Sequence, residues 1–130
     1  MARFILIIAV LHSTLFASAC KCIGFSGLDD SDYMITGKVV DIKDKFNKSV
    51  AKLEIVKVYK GLRKKKKNLR VVTSQNQEGC GYRFKVGKFY GVYGYNQIGK
   101  HRVTVCSQTE IINQEELQEY TPKQTRSGYL

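Results

Sequence analysis

The chain has 130 residues, of which 22 are Lys or Arg and 11 are Asp or Glu, so its formal net charge at pH 7 is +11. This length suits a single domain, and a hydrophobic content of 43% is too high for a wholly disordered chain. The chain has only two His and four Cys, which leaves little material for a multi-His metal centre or a His-dependent catalytic triad. We therefore expect a non-enzymatic domain that meets anionic partners.

The first 19 residues are typical of a secretory signal peptide. Arg3 supplies a positive charge, residues 4–11 are an unbroken apolar run, and residues 17–19 (Ala-Ser-Ala) offer the small side chains that a signal peptidase needs. The apolar run is shorter than the roughly 20 residues that cross a bilayer, so we expect no membrane span. Cleavage after residue 19 would make Cys20 the first residue of a protein secreted to the extracellular space.

All four cysteines follow the predicted cleavage site. An even number of Cys in a small secreted domain favours disulfides, and four thiols allow three pairings. A zinc site made of four Cys is the rival interpretation, although its usual two closely spaced pairs do not occur in this sequence. The residues concerned are Cys20, Cys22, Cys80 and Cys106.

From Tyr33 onward, short β-type stretches alternate with polar or Gly-containing segments. Five strands are predicted, at 33–43, 50–60, 69–75, 88–95 and 101–107. In the second stretch, Ala51, Leu53 and Ile55 would lie on one face of a regular strand, whereas Val56 and Val58 would lie on the other. The apolar face therefore changes between Ile55 and Val56. This change of phase indicates a β-bulge.

The last part of the chain contains one helical signal. Asn113 can cap a short C-terminal helix, since Glu115 and Glu116 would then lie in its first turn, where the helix dipole favours acids. Pro122 cannot continue the helix. Residues 121–130 are therefore predicted to be a flexible tail.

Four short motifs, in this order, resemble the inhibitory domain of the tissue inhibitors of metalloproteinases. They are Cys20-Lys21-Cys22, Val58-Tyr59-Lys60-Gly61, Glu78-Gly79-Cys80-Gly81-Tyr82 and Val103-Thr104-Val105-Cys106-Ser107. The resemblance implies an all-β netrin-like (NTR) module over residues 20–120, built on a five-stranded OB-fold barrel. It also implies the disulfides Cys20–Cys80 and Cys22–Cys106, which would tie an N-terminal arm to two places on the barrel.

The same resemblance implies a secreted metalloproteinase inhibitor whose partners are secreted zinc metalloendopeptidases. The free amine and the carbonyl oxygen of Cys20 would chelate the zinc of the target, so the inhibitor would have no cofactor of its own. The implied inhibitory edge consists of Cys20, Lys21, Cys22, Ile23, Glu78 and Gly79. The family typically has a small residue after the first Cys, whereas this chain has Lys21. We expect this difference to affect both the strength of inhibition and which proteases are inhibited.

The alternative is a netrin-like module that binds extracellular matrix or glycosaminoglycans and does not inhibit. Five consecutive cations between the second and third predicted strands indicate either a solvated loop or a site for sulfated glycosaminoglycans. They are Arg63, Lys64, Lys65, Lys66 and Lys67. No nucleic acid partner is expected, because Tyr90, Tyr93 and Tyr95 are more typical of a packed core than of a base-stacking surface. We expect a monomer.

Two further residues have simpler interpretations. Asn47 begins an Asn-Lys-Ser triplet, an acceptor for N-glycosylation, in a predicted hairpin loop. The triplet can be used only in a eukaryotic secretory pathway. His101 opens the fifth predicted strand and is interpreted as a surface or strand-edge residue.

Overall fold

A computed structural model describes residues 20–76 and 78–127, and these residues form mainly β-strands. The predicted signal peptide lies outside the described residues. The strands are β1 (Gly24–Phe25), β2 (Tyr33–Lys45), β3 (Lys48–Lys60), β4 (Asn68–Ser74), β5 (Phe89–Gln97), β6 (Lys100–Arg102), β7 (Glu110–Ile112) and β8 (Arg126–Ser127). A 3₁₀ helix spans Gln114–Glu119. The predicted β-rich fold is confirmed.

Six of the described strands form one mixed sheet in the order β2-β3-β4-β6-β5-β7, and β5 also pairs with β2. Pairing therefore runs from β2 through β3, β4, β6 and β5 and back to β2, which closes a circuit of five strands. The pairs are antiparallel except that of β4 with β6, which is parallel. β1 and β8 form a separate antiparallel ribbon.

Each of the five predicted strands is present, but the fifth is shorter than the predicted 101–107. β6 ends at Arg102. Beyond it the Val105 amide donates to the carbonyl oxygen of Cys80 at 2.9 Å, outside the sheet, and the chain continues to Cys106. The strands β1, β7 and β8 were not predicted, because two or three residues are too few for alternation to be recognised.

The main core lies on one side of β2, β3, β4 and β5. Burial alternates along the middle of β3, whereas residues 33–37 of β2 and 90–94 of β5 are buried on both faces. The main core consists of Tyr33, Ile35, Val39, Ala51, Leu53, Leu69, Val71, Tyr90, Val92 and Val103. Tyr90 and Tyr93 are 0% and 1% exposed, which confirms that they pack the core. Tyr95 is instead exposed at 36%.

The predicted bulge in the second strand is confirmed. Thr36 pairs with Lys57 and Gly37 pairs with Ile55, so Val56 has no partner on β2. The extra residue reverses the alternation along β3, and Val58 packs against the core as a result.

The predicted C-terminal helix is present as the 3₁₀ helix, but the predicted cap is wrong. The side chain of Asn113 makes no capping hydrogen bond; its backbone carbonyl oxygen accepts from the Glu116 amide at 2.9 Å. Leu117 is buried and holds the helix against the body of the domain. In the part of the chain that the structure describes, no helix is both long enough and apolar enough to cross a membrane.

Gly94 in β5 lies directly against the ring of Tyr33, which is fully buried. The Tyr33 hydroxyl donates to the carbonyl oxygen of Arg102 at 2.9 Å, so the ring cannot turn away without breaking that bond. A Cβ atom on residue 94 would lie 2.1 Å from Cζ of Tyr33. Only glycine leaves room for the ring.

We expect Gly94→Ala to lower the free energy of unfolding by about 1–3 kcal/mol, because the new methyl group overpacks the core beside Tyr33. Denaturant unfolding measures this. Gly99→Asn is the matched control: residue 99 has φ of +69° with open space around its Cβ position, and Asn tolerates that conformation. Equal midpoints for Gly94→Ala and the unaltered protein would show that the ring does not constrain residue 94.

Candidate inhibitory edge at the N-terminal arm

The arm, residues 20–23, alternates in exposure. Cys20 and Cys22 are half-buried, whereas Lys21 is exposed and Ile23 is 99% exposed. Disulfides join Cys20 to Cys80 and Cys22 to Cys106, with Cα atoms 5.2 and 5.3 Å apart. This is the pairing that the resemblance implied. The two bridges hold the arm on one side and leave Lys21 and Ile23 facing solvent.

Each disulfide closes a long loop, with sequence separations of 60 and 84 residues. The chain-entropy model gives roughly 4 kcal/mol for each bridge, because it removes freedom from the unfolded chain. The sulfur atoms of Cys20, Cys22 and Cys106 lie within 4.8 Å of one another, close enough for a metal site. All four sulfurs are bonded in pairs, so the rival four-cysteine zinc site does not form.

The turn that receives the first bridge is organised by Asn76. The Gly79 amide donates to Oδ1 of Asn76 at 2.7 Å, and the Gly81 amide donates to its carbonyl oxygen at 3.2 Å. A Cβ atom on residue 79 would lie 2.1 Å from Oγ of Ser74, so this close approach requires glycine. Glu78 and Gly79 are exposed. The Cys20–Cys80 bridge therefore fixes the arm beside two exposed residues of the predicted edge.

The segment that receives the second bridge is hydrogen-bonded to the residues that follow the arm. The Ser26 amide donates to the carbonyl oxygen of Cys106 at 2.9 Å, and the Gln108 amide donates to that of Ser26 at 2.9 Å. Ser26 also forms a parallel β-bridge with Ser107. These backbone hydrogen bonds hold Ser26 against the same segment to which the Cys22–Cys106 bridge ties the arm.

A third support comes from residues 121–127, which were predicted to belong to a flexible tail. In the structure β8 pairs with β1, which directly follows the arm. The Leu28 amide donates to the carbonyl oxygen of Lys123 at 2.8 Å, and the Arg126 guanidinium lies 5.3 Å from the ring centre of Phe25. The sequence did not predict these contacts, because partners about a hundred positions apart leave no local signal.

Two tyrosines anchor this C-terminal segment to the core. The hydroxyls of Tyr93 and Tyr120 are 2.6 Å apart, and the Lys123 amide donates to the Tyr93 hydroxyl at 2.6 Å. Burial, followed by the hydrogen bond with Tyr93, raises the pKa of Tyr120 well above its usual range. The Tyr120 hydroxyl therefore stays protonated near neutral pH, and its hydrogen bond with Tyr93 persists.

The other residues that the sequence singled out lie away from the arm's bridges. The five cations 63–67 are exposed between β3 and β4, and Asn47 is exposed in the turn between β2 and β3, as predicted. Nδ1 of His101 lies 2.7 Å from Oδ1 of Asn96. Burial, and then the charge of Lys66, lowers the pKa of His101, which favours the neutral ring.

Comparison with protein-family models gives no match, and comparison with curated protein sequences gives no significant match. The function must therefore be argued from the residues and contacts of this chain. The arm, the Glu78–Gly79 turn and the C-terminal segment form one surface that carries chemical groups in a fixed arrangement.

The support from the C-terminal segment can be tested at Thr125. Its hydroxyl oxygen accepts from the amides of Gly27 and Asp30, both at 3.2 Å. We expect Thr125→Val to lower the free energy of unfolding by about 1 kcal/mol and to accelerate hydrogen exchange at both amides.

Thr121→Val, on an exposed side chain, is the matched control and should leave the exchange rates of the same two amides unchanged. If Thr125→Val also leaves them unchanged, the C-terminal segment does not support the residues that follow the arm.

Proposed function

We propose that this protein is a secreted inhibitor of zinc metalloendopeptidases, and that it acts by chelating the catalytic zinc of its target through the free N-terminal amine and the carbonyl oxygen of Cys20. The observation that carries the proposal is the double tether of the arm. Two disulfides within three residues hold Cys20 and Cys22 against the domain while Lys21 and Ile23 remain exposed. A purely structural staple does not require the residues between and after its cysteines to be exposed.

The chemistry of the target explains why such an arm would inhibit. A catalytic zinc keeps one coordination position for the water that attacks the substrate. An amine nitrogen and a carbonyl oxygen from one residue can take the place of that water, and the reaction then lacks its nucleophile. Any residue type supplies these two atoms, so the side chain of Cys20 serves to fix their position. An amide nitrogen is a poor ligand, and cleavage after residue 19 is therefore part of the mechanism.

Rigidity before binding strengthens the proposal. A flexible N-terminus loses conformational entropy when it enters a protease cleft, whereas an arm held by two bridges and by β1 has lost most of that entropy during folding. The exposed Glu78 and Gly79, bonded through Cys80 to the first residue of the arm, would then extend the contact along the cleft.

The fold agrees with the resemblance on which the proposal rests. The OB-fold is a five-stranded Greek-key barrel, and the closed circuit β2-β3-β4-β6-β5 with its one parallel pair supports that assignment. We accordingly propose a netrin-like OB-fold module. The alternative function, a matrix-binding module without inhibitory activity, shares this fold and differs in whether the amine of residue 20 is needed.

The decisive experiment adds one Ala before Cys20. We expect the protein that begins at Cys20 to inhibit secreted zinc metalloendopeptidases and the Ala-extended protein to lose inhibition by at least a hundredfold, because its residue 20 nitrogen is an amide. Inhibition constants measured on a panel of such proteases test this. Peptide mapping without reduction should find the same two disulfides in both proteins. Equal inhibition by both would exclude chelation by Cys20.

Lys21 should determine which proteases are inhibited. Its methylene groups can enter an apolar specificity pocket, but its ammonium must reach water or an acidic partner, since an unpaired buried charge is strongly unfavourable. We expect Lys21→Ser to tighten inhibition of proteases with deep apolar pockets about tenfold, equivalent to about 1.4 kcal/mol.

Lys88→Ser, which removes an exposed lysine in another part of the chain, is the matched control for the change in net charge. If both variants shift the inhibition constants equally, Lys21 does not enter the pocket.

A further inference from the structure

One surface away from the arm carries an unusual concentration of charge. On β3 and β4 the inward residues include Ala51, Leu53, Leu69 and Val71, so the alternate residues face outward. On β6, His101 faces inward and contacts the ring of Tyr33. Its neighbours in the strand, Lys100 and Arg102, therefore face outward. We call these outward cations, together with Lys45 at the end of β2, the basic face. It consists of Lys45, Lys48, Lys52, Arg70, Lys100 and Arg102.

The strand register places these cations beside one another. Lys45 is opposite Lys48, and Lys52 is opposite Arg70. Lys100 is the main cause that lowers the pKa of the Lys48 ammonium, and the charges of Lys45 and Arg102 add to the effect. Like charges directly opposite each other on a sheet destabilise it.

Acidic side chains offset this repulsion only in part. Asp41 is opposite Lys52, and Asp44 lies beside Lys45, but within residues 20–76 and 78–127 the ion pair that forms joins Lys123 to Glu110, at 2.5 Å. The folded protein thus keeps at least six cations together without a paired carboxylate. A bound polyanion would relieve the repulsion, which makes the basic face a candidate binding site.

The turns on either side of the basic face have unexpected residues. Phe46, between β2 and β3, is 100% exposed with φ of +35°, and Ile98, between β5 and β6, is 88% exposed with φ of +52°. Hairpin turns with positive φ favour Gly, Asn or Asp, and a β-branched residue there is an outlier. Neither side chain contributes to the core. Both are available to contact the apolar surface of a ligand that crosses the basic face.

The compartment decides the class of polyanion. Exposed aromatic rings adjoin the basic face, since Tyr95 is opposite Arg102 and 36% exposed, and Phe46 is 100% exposed. Single-stranded nucleic acid stacks its bases on such rings, but the two disulfides are typical of an oxidising, extracellular compartment, where a protein seldom meets that ligand. Sulfated polysaccharides are polyanions of that compartment, and their sulfates need cations and no stacking.

We propose that the basic face binds a linear sulfated polysaccharide, with its sulfates on Lys48, Arg70, Lys100 and their neighbours. This site differs from the loop 63–67 that the sequence suggested. The loop leads directly into β4, which carries Arg70 of the basic face. The inference does not depend on the inhibitory function, because it uses none of the arm residues.

The experiment uses heparin as the probe and two variants that remove the same number of charges. The face variant carries Lys48→Gln, Arg70→Gln and Lys100→Gln; the loop variant carries Lys64→Gln, Lys65→Gln and Lys67→Gln. We expect the face variant to bind heparin at least tenfold more weakly than the unaltered protein and to elute from a heparin column at a lower salt concentration than the loop variant. An equal or larger loss in the loop variant would overturn the assignment.

Lys100→Glu guards against an effect of misfolding, because the new carboxylate can pair with Lys48. We expect this variant to unfold at a temperature no lower than the unaltered protein while it binds heparin more weakly. Unchanged heparin binding by this variant would exclude the site. A single-stranded oligonucleotide that binds the unaltered protein more tightly than heparin at equal salt would overturn the choice of polysaccharide.

Discussion

The position of every group at the candidate edge depends on two covalent bonds, from Cys20 to Cys80 and from Cys22 to Cys106. Apart from the bridges, the arm is attached through the two-residue strand β1 and the hydrogen bonds of Ser26, and a ribbon this short has little stability of its own. The bridges transfer the rigidity of the sheet to the arm. They also bring together the Glu78–Cys80 turn and the segment around Cys106, which are far apart in the sequence.

The core supports this arrangement from beneath through its tyrosines. Tyr33 fills the space that Gly94 leaves and holds the end of β6 by its hydroxyl. Tyr93 contacts Tyr120 and the Lys123 amide of the C-terminal segment, which in turn pairs with β1 next to the arm. Leaving a buried hydroxyl without its hydrogen bonds costs free energy. The contacts of the Tyr93 hydroxyl therefore hold the C-terminal segment in one position.

Charge divides the surface into two regions with different chemistry. The arm exposes one cation and one apolar side chain, Lys21 and Ile23, which suits a narrow protein cleft. The basic face exposes at least six cations on paired strands, which suits an extended anionic chain. The two surfaces use separate residues, so the inhibitory and the polysaccharide-binding proposals can be tested, and can fail, independently.

The sequence by itself determined the β-rich class, the five main strands and the bulge at Val56, because alternating burial is a local property that periodicity records. Resemblance to known inhibitors supplied the disulfide pairing, which spacing alone left open. Only the tertiary structure decided that residues 126–127 pair with β1 and that Gly94 makes room for Tyr33. These contacts join residues 61 to about a hundred positions apart, and since no local pattern encodes which distant strands become neighbours, the folded sheet alone brings them together.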